Sequence, residues 1–141
     1  ITADLICGFC GETDTEFENT RALVRECGFT RVHVFPFSVR AGTAAEKMGG
    51  SIDKGTAAER CAAISALGRE STEAFLKKQI GKRHTVIFEE RTKNGAIGGY
   101  TSNYLYAQAK DGGGISRGDM LPVIITGAAG GRLICCADKA E

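Results

Sequence analysis

Residues 3–37 read ADLICGFCGETDTEFENTRALVRECGFTRVHVFPF, and this stretch decides the fold of the first half of the chain. The apolar run that opens it and the run RVHVFPF that closes it predict two β-strands. Between them, Thr13 followed by Glu16 forms a T-x-x-E capping box, and Gly28 is a helix stop signal. The order strand, helix, strand predicts a βαβ unit with parallel strands and a right-handed crossover.

The segments that follow change in character along the chain. Residues 38–55 are rich in glycine and predict a loop, and residues 56–80 have the apolar spacing of a long helix. From residue 81 onward, short β-rich runs alternate with glycine turns: HTVIFEE (84–90), AIGGYTSNYLYAQAK (96–110), MLPVIITG (120–127) and RLICCA (132–137). Several short strands at close spacing predict a small β-barrel, so a domain boundary is expected near residue 80.

The composition is that of an ordinary globular protein. The chain has 141 residues, of which 43% are hydrophobic and 25% charged, and its net charge is +1. Because no apolar run is long enough to span a membrane and no signal peptide is visible, we expect a cytoplasmic protein without a membrane partner. The chain begins at Ile1, almost directly in a strand, so we expect it to be a segment of a larger protein.

Cys7 and Cys10 form a C-x-x-C motif between a strand and a helix, which fits a redox dithiol, half of a metal site or a plain turn. A thioredoxin-like dithiol needs a facing proline and nearby antiparallel strands, which the next segments do not predict. A metal site needs further ligands, and the other paired cysteines are the adjacent Cys135 and Cys136. We therefore expect most of the six cysteines to be small buried hydrophobes, and no metal site.

Three stretches resemble the radical S-adenosylmethionine methylthiotransferases, which thiomethylate tRNA or a ribosomal protein. DLICGFCGETDTEFENT is similar to the family's strand, G-F-P-G-E-T turn and helix, with Cys10 in place of the proline. RVHVFPFSVRAGTAAEKM resembles the next strand and its S-P-R-x-G-T-x-A loop, with Val39 and Ala41 where prolines are common. GYTSNYL, at 99–105, resembles the branch that acts on threonylcarbamoyladenosine.

The resemblance extends over nearly the whole chain and implies a fold and a function. Residues 1–79 would be the C-terminal part of a partial (β/α) radical SAM barrel, and residues 80–141 a TRAM-type RNA-binding β-barrel. The complete enzyme would use S-adenosylmethionine and two [4Fe–4S] clusters to add a methylthio group to C2 of a modified adenosine in tRNA. The cluster-binding motif C-x-x-x-C-x-x-C is absent, so the missing N-terminal part would supply it, and this segment alone would be inactive without catalytic residues of its own.

In such enzymes S-adenosylmethionine lies at the carboxyl ends of the barrel strands. By resemblance, Gly8 and Gly11 would allow close backbone approach, Glu12 would begin the helix, and Arg40 would meet a carboxylate or phosphate. The full set of expected cofactor-binding residues is Gly8, Phe9, Gly11, Glu12, Phe35, Phe37 and Arg40. Each has an alternative: the glycines only form a turn, Phe35 packs in the core, and Arg40 is merely solvated.

The second half carries the expected RNA contacts. The expected phosphate-binding residues are Lys82, Arg83, Arg91, Lys93 and Lys110. Tyr100, Tyr104 and Tyr106 are candidate stacking surfaces, and Asn103 would bind a base edge or cap a turn. In a continuous strand, Tyr104 and Tyr106 share one face. The alternative is that the aromatic residues cover the barrel core and the lysines only aid solubility.

Other function classes stay open. One is an RNA-binding module with no enzymatic parent, another is a methylthiotransferase for isopentenyladenosine tRNA or a ribosomal protein, and a third is a dithiol oxidoreductase. The oxidoreductase predicts a low thiol pKa at Cys7 or Cys10. If residues 1–79 are half of a barrel, an open sheet edge predicts that this segment associates or is poorly soluble alone.

Overall fold

The computed structural model describes residues 1–92, 95–110 and 114–138, which form two compact units, Ile1–Thr72 and Glu73–Glu141. The two units divide inside a long helix, and the domain boundary that the sequence predicts near residue 80 stays a prediction. The last turns of this helix contribute Leu76 to the core of the second unit. Among the helices of the described residues, none is long and apolar enough to cross a membrane.

The first unit begins with the predicted βαβ arrangement. Strand β1 (Thr2–Cys7) pairs in parallel with β2 (Arg31–Pro36), and helix α1 (Asp14–Cys27) connects them. Both predicted ends of α1 are confirmed. Thr13 and Glu16 form the capping box, and Gly28 closes the helix with a left-handed φ of 57°.

The loop and the long helix differ in detail from the prediction. A short helix, α2 (Ala44–Lys47), lies in the segment predicted to be only loop, and α3 extends over Lys54–Lys77 instead of 56–80. Gly68, the one glycine in the middle of α3, lies against β2: a Cβ there would be 3.1 Å from the Cβ of Val32. The glycine therefore permits close helix–strand packing, which offsets its low helix propensity.

The core of the first unit lies between α1, α3 and one face of the sheet. Its buried members are Cys7, Phe17, Val24 and Ile64. The opposite face of the sheet is exposed, and it carries Ile6 and Phe35 directly across from each other at 58% and 51% exposure. Phe35 is therefore not part of the core of this unit.

The second unit is a closed five-stranded barrel with strand order β3-β4-β5-β7-β6, which confirms the predicted small β-barrel. Its strands are β3 (Arg83–Arg91), β4 (Ile97–Thr101), β5 (Tyr106–Ala109), β6 (Met120–Ala129) and β7 (Arg132–Ala137). The β5–β7 pair is parallel and the other pairs are antiparallel. Alternate side chains from all five strands fill the interior, including Phe88, Ile97, Ala107, Ile125 and Leu133.

The run at 96–110 is two strands and not one. Its middle forms a turn in which Tyr104 has a positive φ of 62°. The Thr101 hydroxyl accepts a hydrogen bond from the Leu105 N–H at 2.9 Å and donates one to Asn103 Oδ1 at 2.6 Å. These short-range hydrogen bonds stabilise the turn. Because Tyr104 lies in this turn, it does not share a strand face with Tyr106.

Candidate functional site

A cavity of about 670 Å³ lies in the first unit at the carboxyl ends of β1 and β2. Its apolar wall includes Phe37, Val39 and Ile52, and its polar lining is formed by Ser38, Ser51 and Lys54. The volume is that of a pocket for a small organic ligand, and a mostly apolar wall with a few polar groups is typical of such pockets. The carboxyl ends of parallel strands are the usual place for a ligand in α/β proteins.

The turn after β1 brings backbone and helix together at this cavity. Gly8 has a φ of 76°, and a Cβ there would be only 2.7 Å from the Cβ of Ala57 in α3. The Gly8 N–H donates to Glu12 Oε2 at 2.7 Å. The Gly11 N–H donates to the carbonyl of Gly50 at 2.8 Å, which ties the turn to the segment before α3. Only glycine fits at position 8, because the helix packs directly on the backbone there.

Arg60 on α3 connects this turn to α1 and is 6% exposed. Its Nη1 donates to the carbonyl and the carboxylate of Glu12 at 2.9 and 2.7 Å, and its Nη2 donates to Asp14 Oδ1 at 2.6 Å. The guanidinium also lies over the ring of Phe17, at 5.2 Å from its centroid. The hydrogen bonds to Glu12 and Asp14 raise the pKa of Arg60, so the guanidinium stays positively charged. Sequence reasoning missed Arg60, because its partners are 46 and 48 residues away along the chain.

On the barrel, Tyr100 and Tyr106 face each other across β4 and β5. Their rings meet edge to face at 5.3 Å between centroids, and Tyr106 Oη donates to Glu90 Oε1 at 2.6 Å. Tyr104 is 82% exposed and lies in the turn, away from this pair. The paired tyrosines are therefore 100 and 106, and not 104 and 106 as a continuous strand predicted.

Comparison with curated proteins decides the family. A threonylcarbamoyladenosine tRNA methylthiotransferase of Thermotoga maritima is 37% identical over 105 residues, which is 74% of this chain and 24% of that protein. A tRNA-2-methylthio-N(6)-dimethylallyladenosine synthase of Maricaulis maris is also 37% identical, over 115 residues, 79% of this chain and 25% of that protein. The chain belongs to the tRNA methylthiotransferase family.

A third relative extends the match over nearly the whole chain. The tRNA-2-methylthio-N(6)-dimethylallyladenosine synthase of Mycobacteroides abscessus is 34% identical over 146 aligned residues, 95% of this chain and 28% of that protein. No protein-family profile matches the chain. The chain therefore spans about a quarter of the length of the methylthiotransferases it matches. Methylthiotransferases with two different nucleosides in their names match at equal identity, so similarity alone does not choose between them.

The structure brings some of the expected cofactor residues of this methylthiotransferase segment together. Gly8 and Phe37 line the cavity, and Phe9 packs edge to face on Phe37 at 4.8 Å between ring centroids. Glu12 does not begin α1, because Thr13 is its N-cap, and the Glu12 carboxylate is bound by Arg60 and the Gly8 N–H. Five expected residues lie outside the cavity lining, and all of them except Glu12 are exposed: Phe9, Gly11, Glu12, Phe35 and Arg40.

The expected RNA contacts fall into two groups. Arg83 pairs with Asp138, and Arg91 donates to the carbonyls of Gly95 and Ile115, so both guanidinium groups have protein partners. The second group consists of residues that are exposed at the surface: Lys82, Lys110, Asn103, Tyr100 and Tyr104. Lys93 lies outside the described residues.

The six cysteines differ in how deeply they are buried. Cys7 and Cys135 are buried, Cys10 and Cys61 are half-buried, and Cys27 and Cys136 are exposed, so the expectation that most are buried is wrong. Burial, followed by the neighbouring Cys61 thiol, raises the pKa of Cys7 to about 12, which is the opposite of a reactive dithiol. Within the described residues, no three His, Cys, Asp or Glu side chains lie close enough to hold a metal ion.

Tyr106 provides a test of the barrel by pH. Burial, and then the hydrogen bond to Glu90, raise the pKa of Tyr106 to about 12, above the roughly 10 of an unfolded tyrosine. The resulting stabilisation is fully present below about pH 10 and is lost as the pH rises toward 12. We expect the urea midpoint of the native chain to fall more steeply above pH 10 than that of Tyr106→Phe, measured by far-ultraviolet circular dichroism. Parallel curves for the two proteins would contradict the raised pKa.

Proposed function

We propose that this chain is the C-terminal portion of a cytoplasmic tRNA methylthiotransferase that acts on N6-threonylcarbamoyladenosine next to the anticodon. The observation that carries the proposal is the cavity of about 670 Å³ at the carboxyl ends of two parallel strands, in a chain of this family. The complete enzyme would add a methylthio group to C2 of the modified base.

The first unit would be the end of a radical SAM barrel. In a (β/α) barrel, one face of each strand contacts the helices and the other faces the interior. The two-stranded sheet fits this arrangement, because its helix-facing side carries the buried Cys7 and its other side exposes Ile6 and Phe35. These exposed apolar side chains would be covered by the missing N-terminal part of the same enzyme.

The volume and the lining of the cavity support S-adenosylmethionine as its ligand. Phe37, Val39 and Ile52 would contact the adenine ring, and Lys54 would meet the carboxylate of the methionine part. When bound, S-adenosylmethionine supplies the methyl group and the one-electron chemistry of methylthiolation. Gly8, fixed by Glu12 and Arg60, would hold the backbone at the cavity wall. The described cysteines do not fit an iron–sulfur cluster, so the missing N-terminal part of the enzyme would hold the clusters.

The choice of nucleoside rests on GYTSNYL at 99–105, which resembles the threonylcarbamoyladenosine branch. The second unit would be the TRAM-type barrel that contacts the tRNA, and its exposed Lys82, Lys110 and Tyr100 support this role. A complete enzyme acting on dimethylallyladenosine is the alternative, since a synthase of that name matches equally well.

The proposal is tested with the complete enzyme that contains this segment, reconstituted with iron and sulfide. We expect it to convert tRNA carrying threonylcarbamoyladenosine to the methylthio product, detected by mass spectrometry of the nucleosides. Conversion of dimethylallyladenosine tRNA instead would select the other branch. A reconstituted enzyme that binds tRNA and modifies neither nucleoside would favour an RNA-binding module without catalysis.

A pair of variants on α3 tests the cavity itself. Ala58 lines the cavity, and Ala62, one helical turn further, is exposed and outside the lining. We expect Ala58→Phe to raise the KM for S-adenosylmethionine by about tenfold or more, because the added ring fills ligand space. Ala62→Phe changes helix propensity by the same amount and should leave the KM within about twofold. Equal KM values for the two variants would place the cofactor elsewhere.

A further inference from the structure

The outer face of the barrel carries a row of four large side chains that cross four strands. Ile87 of β3 pairs with Met120 of β6 on one side and with Tyr100 of β4 on the other. Tyr100 in turn pairs with Tyr106 of β5. Because directly opposite residues point to the same face of a sheet, these four side chains lie side by side. We call them the tyrosine row.

The tyrosine row faces outward and is open to solvent. Met120 is 65% exposed, Tyr100 41% and Ile87 38%, whereas Val86 and Phe88, the neighbours of Ile87 in β3, are fully buried. With strands about 4.8 Å apart, four side chains extend over roughly 14 Å. This is a narrow apolar strip that follows the curved outer surface of the closed barrel.

The tyrosine pair at one end of the row is held rigidly by its surroundings. Gly98 leaves room for the Tyr106 ring, since a Cβ there would be 2.0 Å from Tyr106 Oη. Tyr106 Oη is fixed by Glu90 at 2.6 Å, and the Tyr106 ring supports Tyr100 edge to face. A ring that is already fixed loses little entropy when it forms a contact, so Tyr100 is preorganised.

Two charged side chains lie near the Tyr106 end of the row. The Glu90 carboxylate accepts the hydrogen bond of the Tyr106 hydroxyl and so already has a protein partner. Arg132 donates to Gln108, which lies on the same face two residues after Tyr106, so a positive charge flanks the row. An aromatic surface with a flanking cation suits a stacked base whose adjoining phosphate meets the cation.

We infer that the tyrosine row is a stacking site for an unpaired base of RNA, with Tyr100 as the main contact and Arg132 beside the adjoining phosphate. The inference rests on the proposed RNA-binding function of the barrel and adds the residues and the mode of contact. It also separates Tyr100 from Tyr104, which is more exposed but lies in the turn outside the row.

The test uses the full chain and a short single-stranded RNA that contains 2-aminopurine. We expect the wild-type chain to bind with an affinity that falls as KCl rises from about 50 to about 200 mM, and to quench 2-aminopurine. Tyr100→Leu keeps apolar bulk without an aromatic face and should weaken binding by about 5- to 100-fold. Tyr100→Phe keeps the ring and should bind like the wild type, and Tyr104→Leu should differ by less than about twofold.

The outcomes distinguish failure of the proposed RNA-binding function from failure of the stacking site. A wild-type chain with no salt-dependent affinity for the RNA would remove the proposed RNA-binding function of the barrel. RNA binding that is equal for the wild type, Tyr100→Leu and Tyr104→Leu would keep that function and overturn the stacking site, which would leave the row for a protein partner. Far-ultraviolet circular dichroism of each variant establishes that the barrel is folded before affinities are compared.

Discussion

Replacing Gly99 by alanine is expected to destabilise the β-barrel by at least about 3 kcal/mol. Gly99 of β4 lies opposite Phe88 of β3, beside the bulge between Phe88 and Glu90. A Cβ at this position would be 1.8 Å from the carbonyl oxygen of Ile87 and 2.8 Å from the Cα of Phe88. Both are backbone atoms, so no rotamer change relieves the overlap, and the β3–β4 pairing must break or shift.

The measurement is urea denaturation followed by tyrosine fluorescence. The chain has no tryptophan, and its three tyrosines, at 100, 104 and 106, all lie in the second unit, so the signal reports the barrel alone. Gly127→Ala is the matched control, because a Cβ at Gly127 of β6 would make an ordinary contact of 3.8 Å with Ile134. We expect the control to change stability by less than about 1 kcal/mol. Similar midpoints for the two variants would contradict the close backbone approach at Gly99.

Features of the fold set by neighbouring residues could be predicted from sequence. The ends of α1 depend on Thr13, Glu16 and Gly28, and each acts within one helical turn. The parallel β1–β2 pair follows from the helix between them, and the closed barrel from closely spaced short strands with glycine turns. The resemblance to methylthiotransferases depended on the same short motifs, and the curated relatives confirm the family.

Features that depend on register or on distant partners could not be predicted. The tyrosine row depends on the pairing of Ile87 with both Met120 and Tyr100. The register between strands that are far apart in sequence cannot be predicted from composition. The turn around Tyr104 was missed because a tyrosine with positive φ is uncommon and gives no glycine signal. The role of Glu12 was misread because Arg60, its partner, is on another helix.

Replacing Arg60 by alanine is expected to lower the melting temperature of the first unit by about 10 °C or more. The effect arises mainly from Glu12, because the Arg60 and Glu12 side chains are only 7% and 11% exposed in their ion pair. Without the guanidinium, the Glu12 carboxylate is left nearly buried with only the Gly8 N–H as a donor. Asp14 contributes little, since its carboxylate is 97% exposed and remains solvated in the variant.

Arg21→Ala is the matched control for Arg60. Arg21 also lies beside the Phe17 ring, at 6.0 Å, and also forms an ion pair, with Glu18 at 2.6 Å, but the Glu18 side chain is 57% exposed. An exposed pair contributes little, so we expect a change of less than about 4 °C. Thermal melts followed by circular dichroism at the helix band report α1 and α3, which supply most of the helix in the described residues. Equal melting temperatures for the two variants would show that the buried Glu12–Arg60 pair does not hold the turn at Gly8. In that case, the expected effect of Ala58→Phe on the KM for S-adenosylmethionine would not depend on a Gly8 turn held by the Glu12–Arg60 pair.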